Sequence, residues 1–144
     1  MYRFRRSAAL LIIVAAAVLA GCTSNSAATG PPAPAHTTVG HNGTVSVVLT
    51  PLAAQRTGLQ TTVAVRAGRG PQTVVPYTAL LYQPDGSSVI YTVTGPLTYT
   101  LVPVAVVSIQ GNQVYLTGLD PGTAVVSVGG EELLGVQDGV GVQT

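Results

Sequence analysis

The sequence lacks lysine and tryptophan, and it contains one cysteine and one methionine among 144 residues. A single cysteine excludes a disulfide bond within the chain. Charged residues make up 8% of the sequence, whereas a typical soluble domain has about 25%. A surface with so few charges tends to associate, and we expect it to contact a second copy of the chain or a partner.

Positive charge is concentrated at the start of the chain, where Arg3, Arg5 and Arg6 precede an apolar run from Ala8 to Leu19. This run is too short for a membrane-spanning helix, which needs about 20 apolar residues. A basic segment, a short apolar segment and a site of small residues are typical of a secretory signal peptide. Residues 1–21 are therefore predicted to be removed on export.

Leu19, Ala20 and Gly21 precede Cys22, and together they resemble a bacterial lipobox. In that signal the peptidase requires small residues before the cut, and the cysteine thiol takes a diacylglyceryl group. The sequence thus predicts lipid on Cys22, with the cell membrane as its partner and the extracytoplasmic face as its location. The alternative is an ordinary secretory signal beside an unrelated cysteine.

Few residues remain to support other chemistry. Without residues 1–21 the chain has three arginines and five acidic residues, a formal charge of 3 − 5 = −2, which excludes nucleic-acid binding. His36 and His41 have no cysteine or carboxylate nearby, so no metal site is predicted. No nucleophile has a base beside it and no phosphate-binding loop occurs. We therefore expect no cofactor and no enzyme activity.

The chain divides by composition. Residues 22–42 are rich in Ser, Ala, Thr, Gly and Pro, which predicts a lipidated cysteine followed by a disordered tether. About twenty such residues reach at most about 70 Å. Residues 43–134 are predicted to form one β-domain. Residues 135–144 are predicted to be a glycine-rich tail.

Turn signals separate the short Val- and Thr-rich segments of this domain. Thr50 is predicted to cap a helical turn over Leu52–Thr57, and Gly58 to end it. Pro84-Asp85-Gly86 and Gly111-Asn112 predict hairpins. Six or more short strands and no long amphipathic helix predict an all-β fold, either a small sandwich or a partly open barrel.

Several short sequences occur in order along this part of the chain: Val75-Pro76 with Ala79-Leu80, Val89-Ile90-Tyr91-Thr92-Val93, Gly118-Leu119-Asp120-Pro121-Gly122, Val125-Val126-Ser127-Val128-Gly129 and Glu132-Leu133-Leu134. In this order they resemble the membrane-proximal β-domain of periplasmic adaptor (membrane-fusion) subunits of resistance-nodulation-division and metal-efflux pumps. The family's lipoyl-like and helical-hairpin domains have no counterpart between Val65 and Pro71. The chain would therefore be a shortened form that cannot bridge two membranes.

The resemblance implies a non-catalytic accessory module of an envelope efflux system that docks on an inner-membrane transporter. The docking surface that it implies consists of Val89, Tyr91 and Val93 with Gly118, Leu119, Asp120, Pro121 and Gly122. The alternative is a stand-alone envelope lipoprotein with a structural or ligand-binding role. In that case a groove could be lined by Tyr77, Tyr82, Tyr91, Tyr99 and Tyr115, although half-buried tyrosines more often stabilise cross-strand pairs.

Overall fold

The computed structural model describes residues 33–139. The strands in chain order are β1 Ala35–Val39, β2 Val45–Leu49, β3 Gln60–Val63, β4 Val65–Arg66, β5 Thr73–Pro76, β6 Leu81–Tyr82, β7 Ser88–Gly95, β8 Thr98–Pro103, β9 Ala105–Gln110, β10 Gln113–Thr117 and β11 Ala124–Val128. The helices are α1 Pro51–Thr57, a 3-10 turn Tyr77–Ala79 and α2 Gly130–Gln137.

These strands form two antiparallel sheets that are not closed into a barrel. Sheet A has the order β1-β2-β8-β7-β11-β3, and β6 also pairs with β7. Sheet B has the order β4-β5-β10-β9. The predicted all-β fold is confirmed, in the form of the sandwich rather than the barrel.

Strand β7 is buried on both faces because it lies inside sheet A. On one face Val89 and Tyr91 share an apolar cluster with Leu133 of α2. On the other face Ile90 shares a second cluster with Val114 of sheet B. The domain therefore has three layers, in which helices α1 and α2 cover one face of sheet A and sheet B covers the other.

The predicted cap and end of helix α1 and the two predicted hairpin turns are confirmed. The side chain of Thr50 accepts a hydrogen bond from the backbone N–H of Ala53 (3.2 Å), and Gly58 ends α1 in the left-handed region with φ of 61°. Gly86 and Gly111 also have positive φ, of 84° and 59°, in their hairpins. These conformations suit glycine because it has no Cβ.

The tether was predicted to extend too far. Residues 35–39 form strand β1, which pairs with β2 along its whole length, from Ala35 opposite Leu49 to Val39 opposite Val45. The overlooked signal is Asn42-Gly43, a dipeptide that favours a hairpin turn. The β-domain therefore begins near Ala35 rather than Gly43.

The β-domain also ends later in the chain than predicted. Helix α2 continues to Gln137, three residues beyond the predicted end of the domain at Leu134. Leu133 is buried, and Leu134 and Val136 pack against the same cluster. This packing outweighs the low helix propensity of Gly135.

We name the two ends of sheet A the proximal end and the distal end. At the proximal end, where β1 begins, the backbone N–H and the hydroxyl of Thr50 both donate to the carbonyl of Pro34 (2.9 and 3.1 Å). At the same end the N–H of Leu49 donates to the carbonyl of Leu97 (2.9 Å). The distal end carries the turns at residues 40–43 and 83–87, which close the β1–β2 and β6–β7 hairpins.

Candidate docking surface

The predicted docking positions on β7 are wrong. Val89 is 2% exposed and Tyr91 is 1% exposed, so neither side chain can meet a partner. The Tyr91 hydroxyl donates to Oε1 of Gln137 (2.9 Å), which fixes the ring beneath α2. Val93 is half-buried and packs against the same cluster. These side chains fill the core because β7 is an interior strand covered by a helix.

The predicted turn at residues 118–122 is accessible only in part. Leu119 is buried, and its carbonyl accepts a hydrogen bond from Oγ1 of Thr73 (2.7 Å), a fully buried side chain. Gly118 has φ of 93°, and a Cβ there would lie 3.3 Å from the carbonyl oxygen of Pro103. Gly118, Asp120 and Gly122 are exposed, and Pro121 is half-buried. The structure does not join them with the β7 positions into one surface.

The predicted lipobox, Leu19-Ala20-Gly21-Cys22, lies outside the described residues, so lipid attachment at Cys22 stays a prediction. Within residues 33–139, every helix is too short or too polar to span a bilayer. In the same range no three His, Cys, Asp or Glu side chains are grouped so as to hold a metal ion.

Residues 60–66 form an edge of both sheets. Strand β3 is an outer strand of sheet A and β4 is an outer strand of sheet B. Buried Ala64 joins them: its N–H donates to the carbonyl of Thr123, and its carbonyl accepts from the N–H of Gly122, both at 2.8 Å. On either side of it Val63 is 54% exposed and Val65 is 62% exposed. Within the described part of the chain, no other strand pairs with the outer side of this segment.

A groove of about 400 Å³ lies beside this segment, and we name it the edge groove. Its lining residues are Thr62, Val63, Val65, Val74, Val75, Pro76 and Gln113. None of them is charged, and the chain has no charged residue at all from Gly86 to Leu119. An accessible strand edge beside apolar pockets is the arrangement that binds an extended polypeptide by strand addition.

The five tyrosines do not share one groove. Tyr91 and Tyr99 are buried, whereas Tyr77 and Tyr82 are about half exposed. These two exposed tyrosines line a second groove of about 420 Å³ together with residues 127–132, which include Glu131 and Glu132. We name this the tyrosine groove.

Two titratable groups have shifted pKa values, and both serve the fold. Burial raises the pKa of Tyr91 well above its ordinary value, and the negative charge of Asp138 adds to this effect. Hydrogen bonds from the side chain and the backbone of Ser87 lower the pKa of Asp85 in the β6–β7 turn. Neither group lines the edge groove.

No family model, curated protein or solved structure matches this chain. The edge groove was not predicted, because alternation at Val63 and Val65 is the same in an outer strand and in an interior one. No local signal distinguishes the two.

Proposed function

We propose that this chain is a lipid-anchored envelope lipoprotein whose β-domain is a non-catalytic docking module of a transport (efflux) system. The observation that carries the proposal is the edge groove, where an accessible strand edge and exposed valines lie together and no lining residue is charged. The adaptor resemblance supplies the class of partner, an inner-membrane transporter.

The chemistry of the edge groove suits an extended polypeptide. On an outer strand, backbone N–H and C=O groups face away from the sheet and can bond to an added strand. Fully burying a valine side chain contributes about 1.5–3 kcal/mol, so Val63 and Val65 can supply much of the apolar contact. Because the lining residues carry no charge, a partner that binds there would not have to desolvate an ion.

The position of the edge groove suits a partner in the same membrane. Strand β3 lies at the opposite edge of sheet A from β1, five strand spacings or about 24 Å away. The described part of the chain therefore begins at the edge of sheet A opposite to the groove. A partner at the groove would therefore not have to contact strand β1.

The proposal can be tested with the full-length lipoprotein purified by affinity from detergent-solubilised native membranes. We expect the wild type to recover a transporter and Val65→Asp to lose it, because a carboxylate in the groove must be desolvated. Val39→Asp is the matched control, since Val39 is 70% exposed on β1, at the opposite edge. Equal recovery by all three proteins, or recovery of the lipoprotein alone, would contradict the proposal.

The tyrosine groove supports a second candidate function, the binding of a small cationic ligand. Tyr77 and Tyr82 line this groove and are aromatic residues of the kind that bind cations, and Glu131 and Glu132 add negative charge. Titration with tetramethylammonium, followed by NMR against sodium at equal ionic strength, should shift the resonances of Tyr77 and Tyr82. Tyr82→Ala should abolish the shift, and a response that matches that of sodium would exclude this candidate.

A further inference from the structure

The turn between β1 and β2 contains the dipeptide Asn42-Gly43, and both residues are exposed. Hydrogen bonds close the turn, from the N–H of Gly40 to the carbonyl of Thr44 (2.8 Å) and from the N–H of Gly43 to the carbonyl of Gly40 (3.0 Å). Gly43 has φ of 76°, and nothing lies within 4 Å of the place that a Cβ would take. The backbone at Gly43 therefore has open space around it.

An exposed asparagine followed by glycine can react with its own backbone. When the nitrogen of Gly43 loses its proton to a base from the solvent, it can attack Cγ of Asn42. A bond between that nitrogen and Cγ forms, the bond between Cγ and Nδ2 breaks, and Nδ2 takes a proton from water and leaves as ammonia. The product is a five-membered cyclic imide. Water then adds to either imide carbonyl and opens the ring to aspartate or isoaspartate, so the net change is one water consumed and one ammonia released.

Asn112 provides a comparison within the same domain. It is also exposed in a hairpin turn, but the next residue is Gln113, whose side chain hinders the attacking nitrogen. The carbonyl of Asn112 also accepts a hydrogen bond from the N–H of Tyr77 (2.9 Å), which holds the peptide group that would have to rotate. Within residues 33–139 the carbonyl of Asn42 accepts no backbone hydrogen bond. Asn42 is therefore the more reactive of the two.

We propose that Asn42 is a site of spontaneous modification, which converts with time to aspartate and isoaspartate. Either product places a carboxylate in the turn between β1 and β2. Asn42 and Gly43 line a groove of about 520 Å³ in which no lining residue is charged, so the conversion introduces a charge there. This inference depends neither on the lipid anchor nor on the edge groove.

Isoaspartate also changes the backbone, because the chain then runs through the side chain and the turn is longer by one carbon. Hydrogen-bonded pairs alternate along an antiparallel ladder. The bonds that close the turn and the backbone bond from Thr50 to Pro34 fix this alternation, so the N–H groups of Thr38 and His36 both donate to β2. Because turn geometry sets the register of a hairpin, isoaspartate weakens the bond of Thr38, near the turn, more than that of His36.

The modification site can be tested by incubating the full-length protein in warm, mildly alkaline buffer and mapping its peptides by mass spectrometry. Electron-transfer fragmentation distinguishes isoaspartate from aspartate. A synthetic peptide of residues 38–46 serves as the reference, since its asparagine is free of the folded turn. We expect Asn42 to convert severalfold faster than Asn112 and within a few-fold of the peptide. Asn42 that stays intact while the peptide converts, or that converts no faster than Asn112, would overturn the inference.

Two variants test whether the following glycine sets the rate. Gly43→Ala should slow the conversion of Asn42 severalfold, and circular dichroism checks that the variant folds, because alanine disfavours positive φ. Gln113→Gly gives Asn112 the same neighbour as Asn42 and should raise its rate severalfold. An unchanged rate at Asn42 in the first variant, or at Asn112 in the second, would contradict this cause.

Amide hydrogen exchange followed by NMR tests the effect on the hairpin. Ion-exchange chromatography isolates the isoaspartate form, and Asn42→Asp is the matched control, since it adds the same charge without lengthening the backbone. We expect the amide of Thr38 to exchange severalfold faster in the isoaspartate form than in the control, with a smaller change at His36. Equal exchange in the two proteins would overturn the loosening of β1.

Discussion

Strand β7 and the segment of residues 60–66 have similar apolar sequences and opposite surroundings. In β7, both Ile90 and Tyr91 are almost completely buried, although they point to opposite faces of sheet A. In the edge segment, Val63 and Val65 are more than half exposed. The difference comes from the order of strands, since β7 has neighbours on both sides and layers on both faces. Burial of an apolar residue is thus a property of its strand's place in the sheet.

The largest expected loss of stability comes from an Ile→Ala substitution in interior strand β7, and the same substitution in outer strand β9 is its control. Ile90→Ala in the interior strand should lower the free energy of unfolding by about 2–5 kcal/mol, because it leaves a cavity between the sheets. Ile109→Ala in outer strand β9, where the side chain is 47% exposed, should cost about 1 kcal/mol or less. Urea denaturation of the two variants measures both free energies. Equal losses would contradict the claim that burial depends on the place of the strand in the sheet.

Loss of a buried side-chain hydrogen bond should likewise destabilise the protein more than a substitution in an edge strand, although by less than Ile90→Ala. Thr73→Val removes the hydroxyl that donates to the carbonyl of Leu119 and leaves that carbonyl without its partner, at a cost of about 1–3 kcal/mol. Thr62→Val in edge strand β3 is the control, because Thr62 makes no side-chain hydrogen bond among the described residues. We expect the control to change stability by about 0.5 kcal/mol or less. A control that lost as much as Thr73→Val would contradict this account.

Alkaline titration tests the burial of Tyr91. Its pKa is raised in the folded state, so the unfolded chain releases the phenolic proton first. The stability that this group contributes is complete below its ordinary pKa of about 10 and is lost as the pH rises above it. Tyr91→Phe should therefore lose less stability than the wild type between about pH 9 and pH 11, as followed by thermal unfolding. Identical pH dependence of the two proteins would show that Tyr91 titrates as it does in water.

The smallest expected change in stability is at the outer edge of sheet B. Val107 is 52% exposed on β9, which pairs only with β10 among the described strands. Val107→Lys should change the free energy of unfolding by about 0.5 kcal/mol or less and should reduce self-association, because charge on an outer strand opposes pairing with another copy. Sedimentation velocity of the full-length protein at high concentration checks the second effect. Unchanged sedimentation would exclude β9 as a self-association edge.

The sequence was most informative where structure depends on neighbours within a few residues. Thr50, Pro51 and Gly58 set the start and the end of α1, and Gly86 and Gly111 set two hairpins, because each acts through its own φ or through a hydrogen bond to an adjacent turn. The all-β class followed from the same signals. Lipid attachment at Cys22 is also a prediction from local sequence, and it stays one.

The docking surface could not be predicted in this way. Alternation correctly placed Val89, Tyr91 and Val93 on one face of β7, but α2, more than thirty residues later in the chain, covers that face. The long apolar run from Thr98 to Ile109 is interrupted by Pro103, which favours an edge or a bulge but does not indicate that the two halves belong to different sheets. The structure divides it near Pro103 into β8 of sheet A and β9 of sheet B.

The sequence by itself determined the turns, the caps and the alternation of side chains, since these depend on backbone preferences and on contacts a few residues apart. Tertiary structure alone decided that residues 35–39 pair with β2, and that β7 is interior whereas residues 60–66 are an edge. The physical reason is that strand pairing and layer packing join residues far apart in the chain. Local patterns specify which way a side chain points, and only those distant neighbours determine whether it meets protein or water.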